Sequence, residues 1–271
     1  MPPFPNLISE SLLINETIAL LRSFGGRASA VKVVDYVMKI RRAEPNLAKL
    51  LVSDLIDRDP RIQLNGDMVE LTTNGQETID LDTAEFVVFD LETTGAKAPP
   101  CRITEIGAFR VKNGKVTGEF HRLVNPEMPI PPFIQGLTGI TDAMVRNSPK
   151  FRDVMGDFLD FIGDSVLVAH NAKFDMHFLN HEIGKIYEDY RIGNPSICTV
   201  HLSRKLLPDI QNHKLKTLAE HFSVALINHH RASDDARATA GVFVNLLEDL
   251  QSRGISSLAA AKRFSFRKAL C

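Results

Sequence analysis

Up to about residue 80 the apolar positions of this chain recur at helical spacing, in three blocks. Ile14–Phe24 is the first, and it runs into Gly25-Gly26, a C-cap signal. Ser29–Ile40 repeats the pattern with Val31, Val34, Val37 and Met38. Asn46 is placed to cap a third helix, Leu47–Arg58, with Leu47, Leu50, Leu51 and Leu55 on one face. RIQLNGDMVELT then reads as two short strands around Asn65-Gly66, a tight-hairpin signal. Three helices and a hairpin are the order of a winged helix, whose third helix would be the groove reader.

From Glu85 the rhythm changes to alternating strand and helix. Phe86–Leu91 is an apolar, β-branched strand, followed by a turn segment containing Pro99-Pro100. Ile103–Val111 and Lys115–Val124 flank Asn113-Gly114, a second tight hairpin. Residues 125–132 are proline-rich and read as extended. Ser148–Ile162 is predicted helical with Pro149 in its first turn, Val166–Ala169 a short buried strand, and Lys173–Tyr187 a helix. Ser196–Thr199 reads as a further strand. Helices follow near 200–207 and 214–222, and then over Asp234–Leu250, with Ser233 as its cap. An antiparallel trio followed by alternating helix and strand predicts an α/β fold, a mixed sheet with helices on both faces. The division expected is 1–80, a small winged-helix-like unit; 81–250, the α/β domain; and 251–271, a basic tail carrying Arg253, Lys262, Arg263, Arg267 and Lys268. Residues 75–84, polar and acidic, make the linker.

Bulk properties narrow this little. The chain has 271 residues, enough for one large or two smaller domains, and 44% hydrophobic residues supply a core. Net charge is −1, so any attraction to nucleic acid must be local. Residues 1–80 hold 9 Lys/Arg against 11 Asp/Glu, which favours a protein-docking or structural unit over a DNA reader. Cys101, Cys198 and Cys271 form no CxxC pair and no zinc spacing, so a reducing cytoplasm is the simplest compartment. MPPFPNLISESLL lacks a basic start before a long apolar core, and no apolar run has a membrane helix's length.

Chemistry enters at Asp90 and Glu92, two acids at the end of the Phe86–Phe89 run. On a strand, positions i and i+2 share a face, so both carboxylates converge. Side by side they repel unless a cation neutralises them, and Mg²⁺ or Mn²⁺ suits oxygen ligands. VAHNAKFDMHFL (168–179) adds Asp175 just inside a helix that follows a buried strand. HRASDD (230–235) adds His230 before a helix and Asp235 in its first turn, with Asp234 and His229 as adjacent competitors. His177 and His181 stand at i, i+4 but lack the Glu of a zinc-protease motif.

The order of these segments resembles the DEDD-type 3′→5′ exonucleases, in the subgroup with a catalytic histidine, a family that includes the proofreading epsilon subunit of bacterial DNA polymerase III. Asp90, Glu92, Thr93, Thr94 and Gly95 match its first motif; His170, Asn171, Phe174 and Asp175 its second; His230 and Asp235 its third. The resemblance covers about residues 85–250. It implies a ribonuclease-H-like fold and two ions, Mg²⁺ or Mn²⁺, held by Asp90, Glu92, Asp175 and Asp235. It implies His230 as the general base and nucleoside 5′-monophosphates as product. It also implies contact of Leu137, Thr138, Gly139 and Ile140 with the terminal nucleotide. Thr93, Thr94, Gly95 and Asn171 join the candidate substrate contacts. The expected partners are nucleic-acid 3′ ends, single-stranded DNA foremost, and a polymerase or repair protein through residues 1–80, with no membrane. The rival readings are an exoribonuclease, because these motifs do not fix treatment of the 2′-OH, and a binding regulator with a vestigial nuclease fold.

Overall fold

The structure, a computed structural model, describes residues 4–57, 59–72 and 79–266. Along the chain come β1 (Leu7–Ser9), α1 (Leu12–Ser23), β2 (Arg27–Ser29), α2 (Ala30–Val37), α3 (Pro45–Leu55), β3 (Ile62–Asn65) and β4 (Met68–Leu71). There follow β5 (Glu85–Thr93), β6 (Ile103–Lys112), β7 (Lys115–Leu123), α4 (Pro132–Thr138), α5 (Asp142–Val145), α6 (Phe151–Ile162), β8 (Val166–Ala169) and α7 (Ala172–Gly184). The last are β9 (Tyr190–Ile192), β10 (Ser196–Cys198), α8 (Thr199–Leu206), α9 (Leu215–His221), α10 (Ala232–Ser252) and α11 (Leu258–Phe266). The chain divides into two units. One is Met1–Gly75 with Tyr187–Gly193; the other is Gln76–Ile186 with Asn194–Cys271.

In the first unit, α1, α2 and α3 share a core with the antiparallel sheet β2-β4-β3, through Leu21, Val33, Val34, Val52 and Val69. Gly66 opens the hairpin loop at φ 61°, where an L side chain would be strained. Two expectations need correction. Glu44, not Asn46, caps α3, because Pro45 takes the first helical position and Glu44 accepts from the Leu47 amide at 3.1 Å. Its buried residues are Ala48 and Val52, with Leu51 and Leu55 packed against the same core, while Leu47 and Leu50 are 47% and 68% exposed. β9 pairs antiparallel with β1. The helix expected to run to Tyr187 ends at Gly184, the last residue of α7. Arg58, residues 73–78 (which include the first part of the linker) and the tail beyond Phe266 lie outside the described residues.

In the second unit five strands lie in the order β10-β8-β5-β6-β7. β5, β6 and β7 are antiparallel, while β8 and β10 run parallel to β5. β5 is central and apolar on both faces, the reason its sequence is a continuous run rather than an alternation. Phe86 packs edge-on against Phe243 of α10, and Phe89 lies at a tilt to Phe158 of α6. Asn113 and Gly114 both have positive φ, as a two-residue hairpin loop requires. Residues 251–266, read as tail, include α11, with Leu258 and Ala261 in the same core as β5 and α10. This is the ribonuclease-H-like arrangement.

Candidate active site

β5 delivers the first two acids. The strand is paired with β8 over Phe86–Val88 and with β6 through Asp90 and Glu92, which leave one face. Asp90 sits opposite Gly107 of β6, and Glu92 opposite Glu105. Gly107 has a reason to be glycine. A Cβ there would lie 2.3 Å from the backbone carbon of Ala232. That close approach brings the start of α10 onto the sheet, and Asp235 in its first turn then reaches the β5 acids. Ligand oxygens of Asp90, Glu92 and Asp235 lie within 4.8 Å of one another. Asp175, 2% exposed in the first turn of α7, accepts from the Leu91 amide and is the neighbour that most strongly perturbs Asp90.

The electrostatics follow from that crowding. Burial, then the charges of Asp175, Glu92 and Asp235, hold the Asp90 carboxyl well above its usual range. Burial and Asp235 push Glu92 up to about 8. Burial pushes Asp175 up to about 8, against the backbone donors that favour its charged form. Carboxylates that repel in a low-dielectric pocket are the donor set a hard dication neutralises, so the residues present fit a divalent metal.

In the third motif the neighbouring pairs differ in burial and bonding. Asp235 is 4% exposed, whereas Asp234 turns outward and accepts from Asn228 at 2.9 Å. Asp235 Oδ2 accepts from the His230 amide and Oδ1 from His229 Nδ1, both at 2.8 Å. His230 takes φ 73°, a left-handed backbone rare outside glycine, and that twist aims its amide at Asp235. The two imidazoles stack at 4.0 Å. Burial and His229 lower the His230 pKa, with Asp235 opposing.

Of the expected substrate contacts, the structure turns several inward. Thr93 Oγ1 donates to the Gly95 carbonyl at 2.7 Å, and Thr94 Oγ1 accepts the Arg102 amide at 3.0 Å. Both threonines are buried and brace the end of β5. Gly95 sits against Cys101, whose Sγ a Cβ would meet at 2.7 Å. Leu137 and Thr138, expected in a connection, close α4, because Pro132 suits a first helical turn. Thr138 is 4% exposed and donates to the Ile134 carbonyl, and the Gly139 amide bonds to Gln135. Neither is free for a ligand as expected. Ile140 is fully buried with Ile130 and Val145 and cannot meet a base; Leu137 is 43% exposed. Asn171 is exposed, left-handed at φ 73°, and starts α7. His170 bonds Thr199 at 2.9 Å, and burial lowers its pKa to about 4, which suits a brace. His177 Nε2 donates to the Ala98 carbonyl at 2.8 Å, and among the described residues neither His177 nor His181 joins a group of side chains placed to hold a metal. Sequence reasoning missed Glu105, Gly107 and Arg231; ITEIGAF reads as an ordinary strand.

A central strand that carries two carboxylates to meet two more from helix starts is the arrangement of a nuclease of the ribonuclease-H-like class, with acids that could hold a metal ion. The chain belongs to the exonuclease family: the family model described as exonuclease (RNase T) matches residues 87–243. It is 39% identical over 179 residues to DNA polymerase III subunit epsilon of Aquifex aeolicus, covering 66% of this chain and 88% of that protein. It is 47% identical over 175 residues to the PolC-type DNA polymerase III of Caldanaerobacter subterraneus subsp. tengcongensis, covering 65% of this chain but 12% of that polymerase. Among solved structures, exonuclease X in complex with 5′ overhanging duplex DNA superposes with TM-score 0.54 at 28% identity, covering 66% of this chain and 99% of that one. The nuclease domain of 3′hExo, a DEDDh family member bound to rAMP, shares the fold at TM-score 0.53 and 20% identity, covering 63% and 95%.

Proposed function

We propose that the second unit removes nucleotides from the 3′ end of single-stranded DNA, releasing nucleoside 5′-monophosphates. The observation that carries this reading is the gathering of Asp90, Glu92 and Asp235 oxygens within 4.8 Å, with Asp175 pressing on Asp90. Asp90, Glu92, Asp235 and Asp175 would hold two Mg²⁺ or Mn²⁺ ions, which when bound supply charge stabilisation to the attacking and leaving oxygens. His230 takes the proton from the attacking water. Its lowered pKa keeps the ring neutral and ready at physiological pH. His229 instead anchors Asp235. The epsilon and PolC names of the relatives favour DNA and a polymerase partner, in the cytoplasm; no described helix is long and apolar enough to cross a membrane. The first unit, of winged-helix-like order, serves as a protein-docking element: the outer face of α3 offers Leu47 and Leu50, and Lys49 is paired with Asp67.

The deciding assay offers matched 5′-labelled DNA and RNA oligomers, single-stranded and duplex, with Mg²⁺, Mn²⁺ or chelator. Stepwise shortening from the 3′ end of DNA, abolished by chelator, is the expected result. Undiminished cleavage in chelator would remove the metal reading, and faster shortening of RNA would turn the substrate to RNA.

A further inference from the structure

Glu105 is fully buried on β6, across from Glu92, and belongs to none of the three motifs. Its carboxylate receives four donors. Oε1 accepts from Arg231 Nη2 and from His121 Nε2, each at 2.7 Å. Oε2 accepts from the Ala232 amide at 2.9 Å and from Arg231 Nε at 3.2 Å. Burial works to raise its pKa, but the bonds from His121, Arg231 and Ala232 outweigh burial and bring it down to about 2. Glu105 is therefore an anion at any physiological pH. Three of the four donors belong to Arg231 and Ala232, which lie between His230 and Asp235. Two residues further along β6, Gly107 touches the backbone of Ala232 and Ser233. The turn is thus seated on β6 at two points. It needs seating, because His230 holds a left-handed backbone and α10 begins without a side-chain cap.

We propose that Glu105 is a positioning residue: by gripping the Arg231 fork and the Ala232 amide, it locks the turn that presents His230 and Asp235 to the reaction. The proposal rests on the reading of His230 as the base. A carboxylate is required, because all four partners are donors. The NH₂ of a glutamine would face a donor on one side or the other. An arginine is required likewise, because a lysine offers no planar fork with two bonded edges.

The test uses the full chain and five variants: Glu105→Gln, Arg231→Lys, His230→Ala, and each of the first two combined with His230→Ala. On a single-stranded oligomer at saturating Mg²⁺, Glu105→Gln and Arg231→Lys should each lower kcat about 10–100-fold, with KM within about twofold. In the His230→Ala background neither should cost more than about a further twofold, because the group they position is gone. Without metal, the His230 ring signal in the proton NMR spectrum, assigned by its loss in His230→Ala, should move in both variants while that of His177 stays. Wild-type kcat in both variants, equal losses in both backgrounds, or an unmoved ring signal would overturn the proposal. Arg231→Lys decides the matter if Glu105→Gln does not fold, since it keeps the charge and removes only the fork. A wild-type rate in His230→Ala would sink the base reading and this proposal with it. A slow His230→Ala beside unaffected Glu105 and Arg231 variants would sink the positioning role alone.

Discussion

The two units of this chain make an instructive contrast. Both are built on apolar patterns that a sequence reader can follow, and both have closed cores. They differ in what the polar residues do at the places where the pattern stops. In the second unit, β5 ends in two acids, α7 and α10 each place an acid in their first turn, and all four are buried or half-buried with neighbours that repel them. Such an arrangement is costly in the folded protein and is retained where something else gains from it. In the first unit the polar residues mostly cap helices or face water. Glu44 and Ser11 accept amides at helix starts, and Asp59 pairs with Arg61 at 2.6 Å. Each of those contacts is explained by the fold alone, so the unit displays its architecture while its work stays hidden.

The sharpest way to break the contrast is to neutralise one of the repelling acids. Asp90→Asn or Asp175→Asn should lower kcat by at least about 10³-fold, because each removes a metal-holding charge. In chelator the same variants should melt at higher temperature than the parent, since a buried repulsion has been deleted. A mutant that lost activity and also melted lower in chelator would mean these acids stabilise the fold. The two units would then be alike in kind.

Next in size is Gly107→Ala. The added methyl would lie 2.3–2.4 Å from Ala232 and Ser233 backbone atoms, which cannot yield as a side-chain tip can. The start of α10 must lift, carrying His230 and Asp235 from β5. A displacement on the order of 1 Å costs about 10²-fold in kcat, and overpacking costs about 1–3 kcal/mol of stability. Single-turnover rates and urea unfolding read the two effects separately. A wild-type rate would show that α10 tolerates the shift.

These cases also show what was legible in the sequence. Strand β5 was, because a central strand between two helical layers must be apolar on both faces. Its two acids were, because they interrupt that run. Glu105 was not: it sits inside ITEIGAF as one polar residue of an unremarkable strand, and Arg231 is 126 residues away in the chain. Gly107 was hidden for the same reason, since a close approach between distant backbones leaves no local mark. The placement of Thr138 and Ile140 was hidden in another way. Prolines at 131 and 132 suggested an extended segment, yet Pro132 opens α4. The resulting turn buries Thr138 and Ile140 and leaves Leu137 outward. In the first unit, the order of helices and strands could be read, but the face of α3 that turned inward could not. Of the leucines at 47, 50, 51 and 55, Leu51 and Leu55 pack against the core as expected, while Leu47 and Leu50 turn outward and the smaller Ala48 and Val52 are buried.

A gentler test varies pH rather than sequence. Glu92 and Asp175 have folded pKa values raised from ordinary carboxylate values to about 8. Between those limits the metal-free native state binds more protons than the unfolded chain, so its stability falls as pH rises through the window and stays low above it. Melting curves in chelator should therefore show a lower midpoint at pH 8.5 than at pH 6, and added Mg²⁺ should restore more at pH 8.5, where the acids are ionised. A midpoint in chelator independent of pH would mean the four acids are less crowded than their geometry says. Variants confined to the first unit supply the control, with the pH effect unchanged.

The smallest expected effect belongs to the first unit. If α3 read a DNA groove, its outward residues would bear on phosphates, and removing one cation would lower the salt dependence of binding by about one unit of slope. The outward residues are instead Leu47, Leu50, the uncharged Asn46 and Ser53 and the acidic Asp54, and Lys49 is tied to Asp67. Leu50→Ser with Lys49→Ala should thus leave kcat/KM on single-stranded DNA within about twofold, with the salt slope of DNA binding unchanged. The same double variant should weaken capture of a polymerase subunit that the parent chain binds, because an exposed pair of leucines on one helix face is suited to a protein groove. A reduced salt slope, or a several-fold loss on DNA, would assign a nucleic-acid contact to α3, and the work of the two units would no longer divide between chemistry and docking.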